Sequence, residues 1–154
     1  MKVFLSSTFL DLVGERKAVL EALHKKSAST LAMEYFVATP TTPRETALEK
    51  LRNSDVMVLV IGFKAGTLLP DGSGSTYTSA EYDELLRLGK ELLVFVKQKQ
   101  RGKQRPPSWR NDEEDPDKKA ALDSFKQRAC EKSTPAYFTT PDGLALGARP
   151  RIEV

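Results

Sequence analysis

The 154-residue chain holds a single cysteine, a single histidine and a single tryptophan, and each scarcity closes a line of chemistry. Cys130 has no partner within the chain, so no internal disulfide can form, and a reducing, cytoplasmic setting is expected. A structural zinc site needs about four Cys/His ligands; His24 and Cys130 cannot supply them, so neither a metal nor a required cofactor is expected. A hydroxyl–histidine triad would have His24 as its sole base. No apolar run approaches the ~20 residues of a membrane-spanning helix, and the opening Met1–Ser7 is too poor in apolar residues for a secretory leader. Carboxylates, hydroxyls, Lys/Arg and backbone groups remain for any catalysis.

The net charge is +3, from 24 Lys+Arg against 21 Asp+Glu. From Lys97 to Arg110 there are six basic residues and no acid, and from Asn111 to Asp117 five acids and no base. Pro106, Pro107 and Gly102 break the same stretch. Residues 97–116 therefore read as a solvated, mobile charged loop. A nucleic-acid site would interleave aromatics with the basic residues, and only Trp109 is offered, so nucleic acid is not the expected partner.

Along the chain, apolar strings alternate with amphipathic stretches. Val3–Leu5, Leu31–Val37, Asp55–Ile61, Leu92–Val96 and Pro135–Thr139 read as strands. Helices are predicted over Glu15–Lys26, from Thr42-Pro43-Arg44-Glu45 with its capping-box spacing, over Thr78–Gly89, and from Asp115-Pro116 through Ala129. The third of these turns Tyr82, Leu85 and Leu86 inward. Beyond Pro141, Gly143, Gly147 and Pro150 suggest a ragged tail or linker over 141–154, leaving residues 1–140 as one domain. This alternation predicts an α/β fold, a flavodoxin-like three-layer sandwich with a five-stranded parallel sheet in the order 2-1-3-4-5. Such a sheet binds ligands outside the carboxyl ends of strands one and three, where strand order reverses.

The residues at that crevice are the candidates. Ser6, Ser7 and Thr8 follow the first strand and can hold phosphate or ribose hydroxyls, or simply satisfy local turns. Asp11 suits a helix cap or a ribose hydroxyl. Gly62 to Tyr77 contains four glycines. It lacks the Gly-Lys-Ser/Thr ending of a phosphate-binding loop, but Gly62 and Gly66 permit close backbone approach, and Phe63 or Tyr77 can stack on a base or join the core. Glu81, in the first turn of the third helix, has two readings. A carboxylate against C1′ of a nucleoside stabilises or captures the oxocarbenium centre of N-glycosidic cleavage without a histidine. Equally, Thr78-Ser79-Ala80-Glu81 fits a capping box.

Two segments together resemble a known family. Val3-Phe4-Leu5-Ser6-Ser7-Thr8-Phe9-Leu10-Asp11-Leu12 with Glu15-Arg16, and later Gly66, Thr76–Tyr82 and Gly89-Lys90, resemble an uncharacterised domain-of-unknown-function family. It is commonly found at the N-terminus of large proteins with signalling NTPase (STAND) or repeat modules, bacterial defence proteins among them. The resemblance covers about residues 2–97 and implies a head of a longer protein. It also implies kinship with TIR domains and nucleoside 2-deoxyribosyltransferases, whose catalytic Glu lies on the helix after the third strand, where Glu81 stands. Two positions depart from the pattern. The family's Arg-Tyr-Gly is Lys64-Ala65-Gly66 here, and the first Glu of its Thr-Glu-x-Glu-Tyr is Ser79.

Two functions follow as expectations. One is a nucleotide-binding domain that cleaves an N-glycosidic bond, NAD being the foremost substrate, with Glu81 catalytic and Ser6, Ser7, Thr8, Asp11, Gly62, Phe63, Gly66 and Tyr77 binding the ligand. The other is a non-catalytic self-association module of a larger signalling protein, which the altered positions favour.

Overall fold

The computed structural model describes residues 1–25, 29–31, 38–99 and 113–152, the backbone alone at 29–31 and 149–152. Among the described residues five strands, β1 (Lys2–Ser6), β2 (Ser29–Leu31), β3 (Val56–Ile61), β4 (Glu91–Lys97) and β5 (Ala136–Phe138), alternate with five helices. The helices are α1 (Val13–Lys25), α2 (Pro43–Arg52), α3 (Tyr77–Leu88), α4 (Pro116–Lys132) and α5 (Pro141–Ile152). The strands form one parallel sheet in which β1 lies between β2 and β3, and β4 between β3 and β5.

β3, Val-Met-Val-Leu-Val-Ile, is buried at every position. A strand covered by helices on both faces loses its polar alternation, and this one divides its side chains between two cores. Val56, Val58 and Val60 pack with Leu12, Val19 and Leu23 of the α1 side and with Leu144 and Ala148 of α5. Met57, Leu59 and Ile61 pack with Leu51 of α2, Tyr82 and Leu85 of α3, and Leu122 and Phe125 of α4. Within the second layer α3 is central: it packs against α2 on one side, and against α4 on the other through the Tyr82–Phe125 edge contact and the Arg128–Asp83 ion pair.

The helix starts carry their signals. α2 begins with the expected box: Glu45 N–H donates to Thr42 Oγ1 and Thr42 N–H to Glu45 Oε2. α4 begins at Asp115, whose Oδ1 accepts from the Asp117 and Lys118 amides. Four expectations are corrected. The stretch beyond Pro141 is not a ragged tail but α5, whose Leu144, Ala145 and Ala148 are buried at helical spacing. Leu86 is 42% exposed, because α3 meets the core through Tyr82 and Leu85 instead. Lys97 belongs to β4 rather than to the charged loop, and its ammonium pairs with the buried Glu15 of α1 at 2.6 Å. The third helix begins at Tyr77, with Thr76 and not Thr78 at its cap. Residues 32–37 of the expected second strand and 100–112 of the expected loop, Trp109 included, lie outside the described residues.

Candidate functional site

A cleft of about 710 Å³ opens at the carboxyl ends of β1 and β3, lined by residues of the β1–α1 connection, the β3–α3 connection and the first turns of α2, α3 and α4. Its central group is Glu81. The capping function that its spacing suggested is performed two residues earlier. Ser79 N–H donates to Thr76 Oγ1 at 3.1 Å, and Thr76 N–H donates to Ser79 Oγ at 2.9 Å. The β3–α3 connection folds back on itself, with Leu69 N–H donating to the Ser75 carbonyl and Tyr77 N–H to the Thr67 carbonyl. That small hairpin fixes the chain up to Tyr77 and so fixes where the helix starts.

Glu81 then falls a full turn into α3, facing the end of β1. Ser6, 1% exposed, donates its hydroxyl to Glu81 Oε2 at 2.5 Å. The residue keeps some surface toward the cleft while its carboxyl group is enclosed by protein. Burial pushes its pKa up to about 7, against the downward pull of the Ser6 hydroxyl and the Arg16 guanidinium. A carboxyl group poised there is divided between acid and carboxylate at neutral pH, the condition that suits acid–base and electrostatic work.

The β1–α1 connection is tied down around it. Arg16, 2% exposed in α1, donates from Nη1 to Ser7 Oγ at 2.7 Å and lies 5.7 Å from the centre of the Phe9 ring. Ser7 in turn donates to the Thr8 carbonyl. The Thr8 hydroxyl is buried beside the Asp11 carboxyl; burial raises the Asp11 pKa, and the Thr8 hydroxyl pulls it back down. Gly66 joins the two connections. Its φ is +81°, and a Cβ there would stand 2.7 Å from Thr8 Cγ2, so both backbone conformation and space require glycine.

Of the candidates, Ser7, Thr8, Asp11, Gly66, Tyr77 and Glu81 line the cleft, and Ser6 lies beneath it on Glu81. Gly62 and Phe63 do not line it. Gly62 abuts Asp11 and Leu12, and the Phe63 ring lies under the Lys97 and Lys99 ammonium groups at 5.5 and 6.0 Å. Four charged lining residues were not candidates: Arg16, Lys64, Glu113 and Lys118. Arg16 was visible only as half of a Glu-Arg motif. Glu113 and Lys118 reach the cleft because the segment entering α4 is pinned to the β3 connection, Glu113 N–H donating to the Phe63 carbonyl and Glu113 Oε2 accepting from Ala65 N–H. No local pattern encodes such a contact.

Among the described residues no cluster of His, Cys, Asp and Glu could hold a metal ion, and no helix is long and apolar enough to cross a membrane. The family model "Domain of unknown function (DUF4062)" matches residues 2–152. The chain belongs to the DUF4062 family. The match extends through α5, so the helix that replaces the expected tail is part of the DUF4062 domain. Among curated proteins none matches the chain.

Proposed function

We propose that this DUF4062 domain binds a nucleotide in the cleft and cleaves its N-glycosidic bond, with Glu81 as the catalytic carboxylate and NAD as the substrate. The observation that carries this reading is the enclosed Glu81 carboxyl group, freed from helix capping and held by Ser6 at the floor of a switch-point cleft. Kinship with TIR domains and deoxyribosyltransferases, a cytoplasmic setting and a signalling or defence context belong to the same reading. So does a chemistry that needs no further cofactor.

NAD suits a site with one such carboxylate. Its glycosidic nitrogen is cationic, so when the C1′–N bond breaks the electron pair leaves with the nitrogen, and nicotinamide departs neutral without a general acid. The ionised Glu81 faces the oxocarbenium centre, stabilising it or capturing C1′ as an ester; water then adds at C1′ and loses a proton, giving ADP-ribose. Incubation with NAD should release nicotinamide, at a rate that rises with pH through about 7 as Glu81 ionises. Glu81→Gln should lose at least about 100-fold, the scale of removing a positioned acid–base or electrostatic group. Equal turnover by wild type and Glu81→Gln would end the assignment.

A second reading, self-association without catalysis, rests on the β5–α5 edge, where Tyr137 is 56% and Leu146 62% exposed. Light scattering that grows with concentration, with no turnover of NAD, would favour it.

A further inference from the structure

Resting on that reading of the cleft, we propose that it is built for a nucleoside carrying a 5′-phosphate. The base lies against the apolar wall of Phe9, Leu10, Pro43 and Ala47, and the phosphate against the wall that Lys64 and Lys118 supply.

The layer order gives the cleft this polarity. α3 lies between α2 and α4, and its Glu81 forms the middle of the cleft. The α2 side contributes Pro43 and Ala47, and the β1–α1 connection adds Leu10, 89% exposed, and Phe9, whose ring lies by Arg16 of α1. The α4 side contributes Lys118, and Lys64 joins it from the β3 connection. In a nucleotide the anomeric carbon lies between base and phosphate, as Glu81 lies between these two walls.

Charge points the same way. Lys118 is the third residue of α4, where the helix dipole disfavours a cation and favours an anion; a bound phosphate would turn that unfavourable placement into a favourable one. The carboxylate on this wall, Glu113, has one oxygen engaged by Ala65 N–H. Arg16, Lys64 and Lys118 match the acids Asp11, Glu81 and Glu113 in number, and the two lysines share the α4 side of the cleft.

Three probes share one scissile bond and differ in phosphate: nicotinamide riboside, nicotinamide mononucleotide and NAD. Nicotinamide release by wild type, and calorimetric binding to Glu81→Gln, should favour the two phosphorylated probes by about tenfold or more, the scale of hydrogen bonds to a charged group. In the Lys64→Met/Lys118→Met double variant, confirmed folded by its melting curve, that preference should collapse toward one. Equal handling of all three probes, or a preference that survives in the double variant, overturns the phosphate wall while leaving the glycosidic chemistry of Glu81 standing. Failure of wild type to bind or cleave any of the three overturns both.

Discussion

Two helix starts in this domain use the same chemistry to opposite ends. At α2, Glu45 follows its cap Thr42 by three residues, reaches back to the Thr42 amide, and stays at the surface. That hydrogen bond holds its carboxyl below the usual range. At α3 the capping partner is Ser79, and the acid two residues further on faces inward, where burial lifts it to about 7. One glutamate caps the start of a helix; the other is left over for the cleft. The register of the cap, Thr76 rather than Thr78, is therefore what separates a structural acid from one available for chemistry.

The contrast predicts effects of opposite sign. The largest is at Glu81. Its folded pKa lies above its unfolded value of 4.5, so its contribution is most favourable below pH 4.5 and is lost as pH rises through about 7. Glu81→Gln should therefore raise the unfolding free energy at pH 9 by roughly 3 kcal/mol and change it little at pH 4, as measured by urea titration at both pH values. Next comes the cap: Thr76→Ala should cost about 1 kcal/mol at either pH, because the box at α3 contains no titrating group. Smallest is Glu45→Gln. The folded pKa of Glu45 is depressed, so its contribution is present above pH 4.5 and lost as pH falls through the folded value. The variant should melt slightly below wild type at pH 7 and together with it in strong acid. A Glu81→Gln variant that is destabilised at pH 9 would break the comparison.

Much of this organisation was legible in the residues, and the exceptions are instructive. The apolar run of β3, the box at Thr42 and the Asp115-Pro116 start are local signals, and the α/β class with a parallel sheet follows from their alternation. The start of α3 was misplaced because Thr78 and Glu81 have box spacing, whereas the box that forms is Thr76 with Ser79. A hairpin between Thr67 and Tyr77 decided between them, and pairing across ten residues is invisible to a three-residue spacing rule. In α5 the glycines and Pro150 outweighed a real stripe, Leu144, Ala145 and Ala148. The helix is held by docking on α1, with Gly147 against Phe95 and Gly14 against Pro141, rather than by propensity. The cleft's position followed from the fold, and Glu81 from its place after β3. Lys118 and Glu113 could not be found, because they belong to a distant helix start brought in by tertiary contact.

The most direct test is a carbon-13 NMR titration of the glutamate side-chain carboxyls, with Glu81 and Glu45 assigned through their Gln variants. Glu81 should titrate with a midpoint near 7, moving higher still in Ser6→Ala as the hydroxyl that stabilises the carboxylate is lost, while Glu45 titrates below 4.5. A Glu81 midpoint at or below 4.5, unmoved by Ser6→Ala, would contradict the enclosed carboxyl group on which the account depends.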